Sequence, residues 1–109
     1  MPLADELFSK LVERAQEVAG QDWVNLRDAS SQACRSMAEQ LALIAHGRAT
    51  GQITNAQAER HIADVRDQAM AMLAMVQMMT EAMAEQIVNS GLDAVKDLFN
   101  AAAGFKLIA

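Results

Sequence analysis

The sequence predicts an all-α fold, an antiparallel helical hairpin or bundle built on one long helix (about residues 54–90) with shorter flanking helices. Three observations carry this. Between Ala58 and Met83 apolar residues return at alternating four- and three-residue steps without a miss: Ala58, Ile62, Val65, Ala69, Met72, Val76, Met79 and Met83. That is the spacing of a helix burying one seam. Composition agrees: 52% of the chain is apolar but only 4% is aromatic. Ala, Leu and Met carry the apolar load, and these are good helix formers. The only proline is Pro2, so no helix interior meets one, and the five glycines provide the punctuation.

The elements follow in order. The first helix is expected at about residues 3–19, with Ala4, Leu7, Phe8, Leu11, Val12, Ala15 and Val18 on one face. Asp5 and Glu6 fall in its first turn, where the helix dipole favours acids. Asp22 is placed to cap a second helix at about residues 23–46. Its apolar stripe is Trp23, Leu26, Ala33, Met37, Leu41 and Ile44. Thr54, with Gln57 three residues on, forms a capping-box pattern that opens the third helix. That helix is expected at about residues 55–90, stopped or kinked by Gly91. A fourth covers about residues 92–103, with Leu92, Val95, Leu98, Phe99 and Ala102 inward. Gly20, Gly47, Gly91 and Gly104 each follow a helical pattern, where a left-handed cap is wanted. The tail Phe105–Ala109 is apolar and short enough to dock on the bundle.

A helix of roughly 35 residues is about 50 Å long. A compact globule of this size has a radius of gyration near ~13 Å, so such a rod protrudes from a lone chain. Its circumference also turns apolar through Met70, Leu73, Met75 and Met78. Self-association is the simplest cover, through a surface of Ile62, Val65, Ala69, Met72, Leu73, Val76, Met79 and Met83. The expected partner is a second copy, in a dimer or tetramer, or another helical protein.

The chemistry-bearing residues do not converge on a reaction. No Gly-rich phosphate loop, nucleophile elbow or paired acids on an apolar face occur. No enzyme activity, catalytic residue or cofactor is implied. Net charge is −5 and no two basic residues are adjacent, which argues against nucleic acid. The connection at residues 46–57 has a glycine at an EF-hand's sixth place, yet His46, Arg48, Thr50 and Gln57 stand where calcium needs oxygen ligands. Met-x-Met and Met-x-x-Met spacings suit Cu(I), but the thioethers are dispersed around one helix, and adaptable packing explains them better. His61 and Asp64 form half a metal site without a matching pair. No metal site is therefore expected. Cys34, the only cysteine, sits on an apolar face and reads as an inert core thiol. The longest apolar run, residues 69–76, falls short of the ~20 residues a membrane span needs. Residues 1–6 lack the basic start of a signal peptide, so the expected location is cytoplasmic.

Residues 1–109 thus read as one helical domain of a non-enzymatic assembly or interaction protein that self-associates through a Met-rich seam. The alternative is a small chaperone or adaptor whose Met-rich groove receives an apolar segment of another protein. Methionine's flexible thioether suits such varied partners.

Overall fold

The computed structural model describes residues 2–108. It is a helical bundle: α1 (Pro2–Ala19), a single 3₁₀ turn (Gly20–Asp22), α2 (Trp23–Ala49), α3 (Asn55–Ala74) and α4 (Glu81–Ala103). No strand occurs among the described residues. Consecutive helices reverse direction. The Arg35 guanidinium reaches back to Asp5 at 3.2 Å, Ile53 folds under Gly47, and Arg66 Nε donates to Asn89 Oδ1 at 3.0 Å. The result runs up, down, up, down. Helices α1 and α3 flank an α2–α4 pair and, among the described residues, do not meet each other. The bundle measures 41 × 23 × 21 Å with a Cα radius of gyration of 13.4 Å.

Each helix buries the stripe its sequence marks. Ala4, Leu7, Leu11 and Ala15 of α1 close on Leu41, Met37 and Ala38 of α2 and on Val88, Val95 and Phe99 of α4 as one core. The capping box at the start of α3 is present: Gln57 N–H donates to Thr54 Oγ1 (3.1 Å) and Thr54 N–H to Gln57 Oε1 (2.9 Å). The tail docks as its apolar sequence suggests. The Asn100 amide donates to Ile108 C=O at 2.9 Å and accepts from the N–H groups of Leu107 and Ile108 at 3.0 Å each. Arg48 stacks over the Phe105 ring, 3.9 Å from its centroid. Ala109 lies outside the described residues.

Four expectations are corrected. The long helix at about residues 54–90 is two helices, because the chain leaves the helical path at residues 75–80 and turns back. Packing gives the reason. A straight rod would carry Ile87, Val88, Val95 and Phe99 away from α1 and α2, whereas the reversal buries all four. With a longest dimension of 41 Å, nothing projects as the rod would have.

Gly91 does not end a helix; α4 runs through it. A Cβ there would stand 2.8 Å from Leu11 Cδ2, so its lack of a side chain lets α1 approach. Gly47 is likewise inside α2, where a Cβ would stand 3.6 Å from the Ile53 side chain, and α2 continues to Ala49. Finally, Asp22 does not cap α2. It keeps helical dihedrals (φ −79°, ψ −7°) within the 3₁₀ turn, so its carboxylate is not swung over the helix start.

Candidate functional site

At the end of α3 the last helical bonds tighten: Met75 N–H donates to Met72 C=O at 3.4 Å and Val76 N–H to Leu73 C=O at 3.1 Å. A tight turn follows, closed by Met79 N–H donating to Val76 C=O at 3.1 Å. Its third residue, Met78, has φ +77°, the one positive φ on a non-glycine among the described residues. Glycine is the residue this turn position prefers, since a Cβ in the left-handed region costs roughly 1–2 kcal/mol. Thr80 then opens α4 from an extended backbone, its hydroxyl accepting from Met83 N–H at 3.1 Å. Glu81 sits in the first turn, favoured by the helix dipole.

The turn gathers thioethers from both helices at one end of the bundle. Met75 is 87% exposed and Met78 66%. Met70, Met72, Met79 and Met83 are half-buried and pack against the core beneath them. A shallow groove of about 380 Å³ runs beside the turn, lined by Met70, Ala71, Ala74, Met79, Glu81 and Ala84. The site therefore carries two apolar knobs next to an apolar hollow. A strained backbone position holding a large exposed apolar side chain is a pointer to function rather than to stability.

The residues of the expected self-association surface divide. Val65, Ala69 and Leu73 are 2%, 1% and 1% exposed, closed into the chain's own core. Ile62, Met72, Met79 and Met83 are half-buried against that core, and Val76 is half-buried in the turn. The seam read from the sequence is thus largely occupied by α2 and α4 of the same chain. The period sets Met75 and Met78 off the seam, but it sets Leu73 there too, and Leu73 is buried. The signal was Thr80-Glu81, a helix-start pair in the middle of the apparent rod.

Elsewhere the described residues offer little chemistry. No three His, Cys, Asp or Glu side chains gather as a metal-holding group. His61 and Asp64 both lie on a groove of about 440 Å³ between α2 and α3, with exposed Leu43 beside them. Burial pushes the Cys34 thiol up to about 11, which keeps it protonated and unreactive. Ser30 Oγ is fully buried with no hydrogen-bond partner. No described helix is long and apolar enough to cross a membrane. The chain matches no protein-family model, no curated protein and no solved structure.

Proposed function

We propose that this chain is a non-enzymatic helical assembly protein that binds a second copy of itself through the methionine-rich turn between α3 and α4. The observation that supports it is the pairing, on one surface, of exposed Met75 and Met78 with the groove beside them. A patch with both knob and hollow is self-complementary, which a two-fold interface requires. Thioether side chains adapt to such contacts without a fixed shape. A second reading, capture of an apolar segment of another protein, draws on the same groove. Its volume of about 380 Å³ takes one or two side chains rather than a whole helix face, which favours the first.

Light scattering over a concentration series tests this. The parent chain should pass from monomer to dimer, and Met75→Ser/Met78→Ser should stay monomeric with unchanged far-UV circular dichroism. A parent chain that remains single at every concentration, yet binds an apolar helical peptide, would move the assignment to the second reading.

A further inference from the structure

We infer that the α3–α4 turn is a hinge, and that two copies of this chain assemble by exchanging α4 through its straightening. This rests on the self-association reading and replaces docking of closed chains at the groove, which straightening would open out, with exchange. Four observations converge on it. The four-and-three apolar rhythm runs through the turn unbroken, so Met72, Val76, Met79 and Met83 form one face if the helix is continuous. The turn, residues 75–80, contains no glycine or proline, and its Met and Gln favour helix. Met78 is held at φ +77°, a strain that straightening removes. Val88, Val95 and Phe99 of α4 are buried in the core it shares with α1 and α2, and an identical socket exists in every other copy.

The exchanged form follows from these. Residues 55–103 become one rod about 74 Å long. Its α4 half leaves its own bundle and fills the vacancy in a partner, whose α4 returns the exchange. Two rods then lie antiparallel, and their methionine segments cross on the two-fold axis. The core contacts of α4 are re-formed with the partner's helices, the contacts at the turn itself are lost, and the backbone groups left unpaired at the end of α3 and the start of α4 gain helical partners. What opposes exchange is the entropy of joining two chains, so the balance depends on concentration.

The Arg66–Asn89 contact between α3 and α4 reports the exchange, since it is intramolecular in the closed chain and intermolecular in the exchanged dimer. Single variants Arg66→Cys and Asn89→Cys are mixed, unfolded together, refolded at high concentration and treated with a short bis-maleimide. Buried Cys34 stays silent. A covalent heterodimer is expected, above the level of either variant alone. Met78→Gly, which relaxes the turn in both chains of a pair, should lower the crosslinked fraction by about tenfold. Thr80→Ala, which removes the residue that restarts the helix, should raise it. Dimers by light scattering without cross-chain linkage would overturn exchange and leave docking of closed chains standing. Monomers at every concentration would overturn both.

Discussion

At Gly91 a missing side chain decides how closely two helices pack. Alanine there would gain about 1 kcal/mol of helix propensity. It would also drive a methyl into Leu11 Cδ2, 2.8 Å away, on a side chain that is itself 1% exposed and cannot swing out. Overpacking of this kind costs roughly 1–3 kcal/mol, so Gly91→Ala should destabilise by about 1 kcal/mol net in urea unfolding. Leu11→Val should cost about 1 kcal/mol alone and less in the Gly91→Ala background, a coupling of at least ~0.5 kcal/mol in a double-mutant cycle. Strict additivity would mean the two positions do not touch. Cys34 gives a second residue-scale test. Its folded thiol titrates at about 11 against an ordinary 9.0. Below pH 9 both states keep the proton; between 9 and 11 the unfolded chain releases it while the folded chain holds it. Stability should therefore fall with pH across that window, and Cys34→Ser should flatten that part of the profile. At pH 8, iodoacetamide should label Cys34 only at the rate the bundle opens.

The caps distinguish two kinds of helix start at the scale of the element. Thr54 opens α3 after a turn that nothing in the sequence disputes, and Thr80 opens α4 in the middle of a competing apolar rhythm. Removing either hydroxyl should cost about 1 kcal/mol of stability. Only Thr80→Ala should also change the oligomeric state, because only there does the chain have a continuous helix to fall back on. Sedimentation velocity of the two variants at matched concentration reads the difference; equal behaviour would show that the turn has no helical competitor. The same contrast explains what could be read from residue types alone. The stripes of α1 and α4 and the capping box at Thr54 were legible because each is local: a period, or two side chains three residues apart. Gly47 and Gly91 read as stops because glycine commonly ends helices, and the side chains packed over them, Ile53 and Leu11, lie elsewhere in the chain and leave no local mark. The break at residues 75–80 leaves a local mark only in Thr80-Glu81, a helix-start pair set inside an unbroken apolar period. Of the candidate site, the methionine content was visible and the division into buried and open members was not. Val65, Ala69 and Leu73 are buried by helices of the same chain folding over them, which a period within one helix does not show.

At the scale of the whole molecule, that division separates stability from association, and Leu73 is the place to measure it. The side chain is 1% exposed at the last turn of α3, two residues before Met75, which is 87% exposed. If the rod were open and covered by a partner, truncating Leu73 would weaken only the dimer, and its effect would be lost on dilution to monomer. In the closed bundle Leu73 belongs to the core of each chain. Leu73→Ala should then remove roughly 2–5 kcal/mol, a large part of what a domain of this size has. Thermal melts in the dilute, monomeric range should drop by about 10 °C or more, and by the same amount at each concentration within that range. Met75→Ser should leave those melts within ~0.5 kcal/mol of the parent and act only where chains associate. A Leu73→Ala penalty that vanishes on dilution would place the seam between chains after all and reverse the assignment of what the methionine-bearing helix buries within its own fold.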